Sequence, residues 1–373
     1  MKQVMKYIIP SILLTMTSGF AAEQNESCAP DPCCPPPCPP KDPCAKCAQL
    51  WPTCGPDWII TPNAGPCVSN GADIFITTEF IYWTVRQDSL GFAFSNQQVT
   101  GAITNGTEKG SVFHPDWRLE PGFKVGIGMM FDCDGWDLYA NYTWLRTRNT
   151  KESKIPKGNL TLTNLGWITS FGQLLTSVEK TSAEYEHDFN VIDLELGRNC
   201  FISQCLHLRP HFGFKGTWQE QRIDLTETGT AFSQIVNAVG NYDNEYWGVG
   251  LRAGLDSAWH FTRSFSLVSE VAASVLWGQF DSEAKVFDQN ASTNLFNVTL
   301  NVEDTFHTLK PVLELYIGLR WEDWFCCDEY HYSLEAGWEL QWWGGQSQFM
   351  GGTETRWGDL GMQGLTVKLR FDF

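Results

Sequence analysis

The sequence predicts an all-β membrane protein: a transmembrane antiparallel up-and-down β-barrel with a Cys/Pro-rich N-terminal arm. Three observations predict it. Long segments carry apolar residues at every second position, aromatic residues stand at the ends of these apolar stripes, and the connections between segments alternate between short and long. The barrel has at least ten strands, or roughly 12 to 16 if the long connections hold further strands.

The alternation is clearest in LHLRPHFGFKGTWQEQ, residues 206–221, where Leu208, Phe212 and Phe214 share one face and Arg209 and Lys215 share the other. Such segments match the roughly 9–11 residues that cross a bilayer at a tilt. The predicted strands are 72–87, 116–132, 135–149, 183–198, 206–222, 243–259, 264–282, 304–322, 329–344 and 359–373. Within 183–198 the apolar residues Val191 and Ile192 are adjacent, which predicts a β-bulge or a shifted boundary there.

A secreted soluble β-sandwich or ligand-binding barrel is the alternative, because alternation alone does not exclude it. Trp144, Trp247 and Trp321 end their apolar stripes, as in the aromatic girdles of membrane barrels. The opposite stripes carry charges such as Lys310 and Glu314, which a dry sandwich core would not tolerate. These features favour the membrane barrel.

The connections are short at 132–135, 198–204, 260–264 and 322–329. They are long and polar at 88–115, 150–182, 223–242, 283–303 and 345–358. Short turns on one rim and long loops on the other are typical of outer-membrane barrels. An even strand number then places both termini on the periplasmic, short-turn side of the bacterial outer membrane.

The chain divides into a signal peptide at 1–22, a periplasmic arm at 23–70 and the barrel at 71–373. Lys2 and Lys6 precede an apolar run that ends in small residues, which is the pattern of a secretory signal. The arm is rich in proline, which breaks helices and interior strands. No later segment has about 18 uninterrupted apolar residues, so a helical membrane protein is not predicted.

Secretion places the 13 cysteines in an oxidising compartment, where they can form disulfides. The odd number leaves at least one thiol free or paired with another chain. Cross-links between chains and internal stapling of arm and turns both remain open. The disulfide candidates are Cys28, Cys33, Cys34, Cys38, Cys44, Cys47, Cys54, Cys67, Cys133, Cys200, Cys205, Cys326 and Cys327. The pair Cys44 and Cys47 has redox or half-zinc-site spacing but lacks the context of either.

Composition and motifs exclude several functions. With 26 Lys and Arg against 43 Asp and Glu, the net charge of −17 argues against a nucleic-acid partner. No catalytic motif is found, and an outer-membrane hydrolase would need a Ser–His pair on one outward stripe. His207 and His211 share a strand face but are about 13 Å apart, too far to chelate one metal. We therefore predict no enzyme activity, no metal and no cofactor.

The inward stripes carry charges of both signs, which predicts a wet pore for small polar solutes. The predicted pore-lining residues are Lys124, Arg209, His211, Lys215, Arg252, Glu314, Arg320, Glu335, Glu339, Lys368 and Arg370.

The segments TTEFIYWTVRQDSLGFAFS, HDFNVIDLELGRNCFISQCLHLRPHFGFKGTWQEQ and VKLRFDF, with the short DPCAKC of the arm, resemble the chlamydial major outer membrane proteins and the related Legionella outer-membrane family. The resemblance covers about 70–373. It implies a trimeric porin, abundant at the surface and held by disulfides to envelope proteins, whose outer loops contact host cells. It also implies that Phe373 is the signal for outer-membrane assembly. The CCPPPCPP stretch exceeds the family's usual cysteine count.

Two functions follow as hypotheses. The first is a porin in outer-membrane lipid whose periplasmic cysteines cross-link the envelope. The second is a structural or adhesive surface protein with a plugged barrel and little conductance. They differ in the conductance expected in a planar bilayer.

Overall fold

The computed structural model describes Pro66, Val68 and residues 72–97, 111–131, 135–154, 160–168, 177–203, 205–231, 234–262, 264–290, 296–326, 329–351 and 355–373. The predicted signal peptide and nearly all of the predicted arm lie outside these residues. None of the described segments forms a helix of the length and hydrophobicity that crosses a bilayer.

The described residues form fourteen strands. They are β1 (Ile74–Gln87), β2 (Ala93–Gln97), β3 (Val112–Phe113), β4 (Leu119–Met130), β5 (Trp136–Lys154), β6 (Leu160–Asn164), β7 (Ser177–Arg198), β8 (Cys200–Phe201), β9 (Leu206–Ala231), β10 (Gln234–His260), β11 (Phe265–Asn290), β12 (Phe296–Phe325), β13 (Tyr330–Met350) and β14 (Thr355–Asp372). Ten of them, all except β2, β3, β6 and β8, make a closed antiparallel barrel in the order β1-β4-β5-β7-β9-β10-β11-β12-β13-β14. The predicted fold class is confirmed, with the strand number at the predicted minimum.

The last strand closes the barrel against the first. β14 pairs with β1 from Phe75↔Asp372 to Gln87↔Leu360 and with β13 on its other side. The N–H of Phe373 donates to the carbonyl of Ile74 at 3.0 Å, and the N–H of Ile74 donates to the carbonyl of Phe373 at 3.2 Å. The chain therefore ends inside a hydrogen-bonded ladder on both sides, which accounts for the strand pattern that runs to its last residue.

The outer face of the barrel carries an apolar belt. Leu251 is 66% exposed, Phe214 58% and Ile317 56%, and each stands in a stripe of similar side chains. Leaving such a surface in water would cost about 25 cal/mol for each Å² of apolar area, so the belt faces lipid. Aromatic rings edge the belt at the rim that bears the short turns, where Phe371 stacks on Tyr330 with centroids 5.8 Å apart.

Two sequence predictions were wrong. The polar stretch 223–242 is not a loop: β9 continues to Ala231 and β10 begins at Gln234. Much of 283–303 likewise extends β11 and β12. Beyond the apolar belt the outward positions meet water instead of lipid, so they become polar while the strands continue.

The predicted bulge at Val191 and Ile192 is absent, whereas the alternative, a shifted boundary, is found at the start of the strand, since β7 begins at Ser177 and not at residue 183. β7 pairs without interruption with β9 from Lys180↔Thr228 to Gly197↔His211. Val191 points inward at 2% exposure, and Ile192 points outward at 44%. Both faces of the strand are apolar at this height, because the barrel interior is itself apolar there. A register shift in β7 occurs instead between Val178 and Lys180.

Candidate functional site

The candidate site is the barrel interior. Successive side chains of a strand point to opposite faces, so every second side chain of each wall strand points into this interior. All eleven predicted pore-lining residues have their side chains inside the barrel. Their role in a transport path stays a prediction. The half of the interior nearest the short-turn rim, called here the charged compartment, is dominated by charged side chains, whereas the other half combines aromatic and aliphatic side chains with uncharged polar ones such as Gln87, Gln221 and Asn244.

Arg209 is the centre of the first group of charges. Its guanidinium contacts Asp137 at 2.6 Å, Asp256 at 2.8 Å and Glu195 at 3.1 Å. A Cβ at position 197 would lie 2.5 Å from Arg209 Nε, so Gly197 makes room for the guanidinium. Four strands, β5, β7, β9 and β10, are therefore tied together through one side chain.

A second group lies farther from the rim. Arg252 contacts Glu195, Glu270 at 2.8 Å and Glu314 at 2.7 Å. Lys215, which is fully buried, contacts Asp193 at 2.7 Å and Glu314 at 2.8 Å. Because Glu314 is shared, the two cations and their carboxylates form one network across the interior.

The strands at the barrel closure hold a third group. Lys124 binds Glu339 at 2.7 Å and lies 3.7 Å from Glu79, which is also 3.6 Å from Lys368. At the rim, His331 contacts Asp372 at 2.7 Å and Glu322 at 3.6 Å. The predicted pore charges thus lie close together and bind one another, and inside this compartment the carboxylates outnumber the cations.

Between these groups lies a cavity of about 140 Å³ that Pro66 also contacts. One water molecule needs roughly 10–15 Å³ of such space, and the lining is charged and polar, so the cavity can hold water.

In the other half of the interior, aromatic and aliphatic side chains form a cluster, called here the apolar plug; a plugged barrel was the second hypothesis, but the sequence did not identify these residues. Its members are Trp83, Leu90, Phe92, Trp167, Phe189, Tyr242, Trp343 and Phe349, each at most 1% exposed. The Trp167 ring lies 5.0 Å from Tyr242 and 6.0 Å from Phe349, and Phe189 lies 5.4 Å from Trp343. These ring pairs are edge-to-face, with interplanar angles between 61° and 88°, and they narrow the lumen at this height.

Three of the eight plug residues are not part of the barrel wall. Leu90 and Phe92 lie between β1 and β2, and Trp167 follows β6. The indole N–H of Trp167 donates to the carbonyl of Gly91 at 2.7 Å, which joins the two connections inside the barrel. Main-chain pairing also ties these connections to the wall, because β2 pairs with β6 and β6 pairs with the wall strand β7 at Leu162↔Val178.

The plug also contains a kinked end of β13. Gly345 has φ +63°, a conformation that favours glycine, and the β13–β14 register shifts between Trp343 and Ser347. Past the kink the strand enters the lumen, where the carbonyl of Gln346 accepts from Asn244 at 3.3 Å. The sequence signal was the glycine pair in WWGGQ, residues 342–346.

One group within the described residues has metal-ligand geometry. Ligand atoms of Glu195, His211 and Glu270 lie within 4.8 Å of one another. Both carboxylates already bind the guanidinium of Arg252, so a metal ion would have to displace that cation. The arrangement is better explained as part of the ion-pair network.

Cys200, Cys205 and Cys326 are free thiols beside the short turns, and Cys326 is exposed. Burial raises the pKa of the Cys200 thiol, which reduces its reactive thiolate fraction. The remaining disulfide candidates lie outside the described residues: Cys28, Cys33, Cys34, Cys38, Cys44, Cys47, Cys54, Cys67, Cys133 and Cys327.

Comparison with known proteins gives one family. A family model described as the Legionella pneumophila major outer membrane protein precursor matches residues 64–373. This confirms the Legionella part of the resemblance; the chlamydial part stays a resemblance. No curated protein matches the chain.

The solved structures that are similar to the chain include the following three. The Escherichia coli outer membrane protease OmpT is 11% identical with a TM-score of 0.35, covering 82% of this chain and 98% of that one. A Pseudomonas aeruginosa FadL homologue is 8% identical (TM-score 0.22; 80% and 89% covered). The P. putida toluene transporter TodX is 9% identical (TM-score 0.21; 84% and 92% covered). Similarities this low carry no argument about activity.

Proposed function

The chain belongs to the family of the Legionella pneumophila major outer membrane protein, and from that premise we propose that it is a gated outer-membrane porin for small polar solutes. One observation carries the proposal. A compartment of paired charges around a polar cavity is separated from the opposite end of the barrel by the apolar plug, to which residues outside the wall strands contribute. Displacing Leu90, Phe92 and Trp167 would open the lumen without unpairing the wall strands from one another.

The charges of the compartment support a preference for cations. Its carboxylates exceed its cations, and opposed charges around a narrow lumen select by sign. Reversal potentials across a planar bilayer in a salt gradient test this. We expect cation selectivity in the open state. Anion selectivity, or a well-folded barrel that never opens, would refute the proposed porin function.

We propose that the short-turn rim and both chain termini face the periplasm. Membrane barrels have short turns on that side. The outward residues of β9 and β10 beyond the belt, such as Arg222 and Asp243, form polar pairs suited to the external medium. We further propose a homotrimer and an assembly role for Phe373, whose ring packs against Phe371 with centroids 5.9 Å apart.

Disulfide cross-linking to other envelope proteins is proposed for the cysteines at this rim. We expect a maleimide, which reacts with accessible thiols, to label Cys326 before Cys200, because Cys326 is exposed while burial disfavours the Cys200 thiolate. Mass spectrometry of the labelled protein measures the order. Cross-linking itself is tested by gel mobility with and without reductant: a monomer in both lanes contradicts it.

The structural or adhesive alternative has its own support. β9 to β12 extend far past the apolar belt and present a polar wall that could meet a host-cell surface. It predicts that a variant with a weakened plug still conducts nothing. Removing residues 155–176, which lie between β5 and β7, should then abolish binding to host cells.

A further inference from the structure

The barrel wall parts between β12 and β13 at the end opposite the short turns. β12 pairs with β13 only from Val312↔Trp343 to Phe325↔Tyr330. Its pairing with β11 continues much farther, to Gln289↔Phe296. From 296 to 311, β12 therefore has a strand partner on one side only, among the residues that the structure describes.

Local sequence explains where the wall parts. Pro311 has no N–H to donate, so the ladder can end beside it without leaving an unpaired donor. A Cβ at Gly344 would lie 2.8 Å from Pro311 Cγ, so glycine is needed where the strands separate. Past this point β13 turns inward, and Gln346 and Ser347 are completely buried in the lumen.

β12 stands free of the wall as a result. In a wall strand alternate side chains are buried, yet residues 301–305 are all exposed, and Val302 is 39% exposed although it occupies an inward position. An antiparallel strand directs alternate main-chain N–H and C=O groups to each side. On its free side β12 thus presents a row of these groups to solvent, which is a template for another strand.

We propose that this free side of residues 300–310, called here the β12 edge, binds an extended basic peptide segment of an external protein as an added strand. Main-chain hydrogen bonds would supply affinity, and side chains opposite the edge would supply specificity. The inference goes beyond transport and requires only that this end project from the membrane.

Charge identifies the class of partner. Glu303 and Asp304 are adjacent, so they project from opposite faces of the edge. Glu283 on β11 stands directly opposite Glu303, and the nearby Lys285 is already paired with Glu283. The edge has surplus negative charge on both faces, so a strand with two adjacent Lys or Arg residues fits it, since opposite charges stabilise cross-strand pairs.

Flanking residues define the rest of the partner. Val302 and Phe306 share the face of Asp304, one on each side of it along the strand. Apolar or β-branched partner residues would face them. The preferred segment therefore has a central basic pair between β-branched residues.

A second copy of this chain is a poor occupant. Copies in one membrane share one orientation, so two β12 edges would run parallel at the same height. Glu303 and Asp304 of one copy would then lie near those of the other, and like charges repel. The two acids could also act solely to block such pairing, as charges on edge strands do, in which case no peptide binds.

Hydrogen exchange of the full-length protein in lipid nanodiscs is the first test. Without peptide, we expect alternate amides of 301–309 to exchange on the order of a hundredfold faster than those of 313–321, which have strand partners on both sides. Full protection of 301–309 would overturn the proposal, because another segment or copy would already occupy the edge.

The second test uses three synthetic ten-residue peptides of alternating Thr and Val: one with a central Lys-Lys pair, one with Glu-Glu, and one with Lys-Lys flanked by prolines. Binding is measured by calorimetry. We expect the Lys-Lys peptide to bind about tenfold or more tightly than Glu-Glu and to protect the 301–309 amides. The proline-flanked peptide should not add to the edge as a strand, so it should give no protection of the 301–309 amides.

Matched variants locate the site. Glu303→Gln with Asp304→Asn should weaken the Lys-Lys peptide about tenfold. Glu220→Gln with Asp188→Asn removes two carboxylates from β9 and β7, which are paired on both sides and lie away from β12, and should change binding less than twofold. Equal effects of the two double variants, equal binding of the Lys-Lys and proline-flanked peptides, or no binding at all would overturn the proposal.

Discussion

Replacing Trp167 by Ala is expected to make the barrel leaky to small sugars. Trp167 is completely buried, donates to Gly91 and packs against Tyr242 and Phe349. Its loss removes about 3–5 kcal/mol of packing from the plug, while the wall strands keep their pairing. Liposome swelling in an isotonic sugar measures the leak: we expect a several-fold faster rate than for the wild type.

Trp357→Ala is the matched control. Trp357 lies on β14 and is 70% exposed, so its removal changes the same residue type without touching the plug. Its swelling rate should equal that of the wild type. If Trp167→Ala also swells at the wild-type rate while remaining folded, the plug does not control permeability.

Lys215→Met is expected to cause the largest loss of stability. Lys215 is the fully buried partner of Asp193 and Glu314, and methionine keeps its length but not its charge. Removing one side of a buried ion pair costs about 3–5 kcal/mol. Among the described residues, Asp193 would then have only Arg252, at 3.8 Å, as a cation partner, and Glu314 would have only Arg252. Urea titration followed by tryptophan fluorescence in lipid vesicles measures the free energy of unfolding.

Lys285→Met is the control for that prediction. Lys285 pairs with Glu283 on the partly exposed outer face, where an ion pair contributes about 0–1 kcal/mol. Adding Asp193→Asn to Lys215→Met should restore part of the lost stability, since the carboxylate that lost its close partner is then neutral. If Lys215→Met lowers the free energy of unfolding no more than Lys285→Met does, the buried ion-pair network does not stabilise the barrel.

The lipid-facing half of the fold could be predicted from the sequence because lipid imposes one simple rule. Every outward position within the belt must be apolar, so stripes such as that of Leu251 identify strand, face and register together. The same rule predicted that Lys124 and Arg252 point inward.

The interior could not be predicted in the same way. Near Phe189 and Val191 the inward positions turn apolar, and near Arg222 the outward positions turn polar, so the polarity of the two faces changes beyond the belt. Partners inside the barrel also come from distant parts of the chain: Lys215 and Glu314 are 99 residues apart. Which charges meet, and how the plug fills the lumen, depends on barrel closure and on the kink at Gly345.

Single-channel recording of the wild-type protein in a planar bilayer tests the central claim, that the plug closes the lumen at rest. The account predicts a barrel that is closed most of the time, with brief openings of small conductance that lengthen in Trp167→Ala. A steady, large current from the wild type, unchanged in Trp167→Ala, would contradict it.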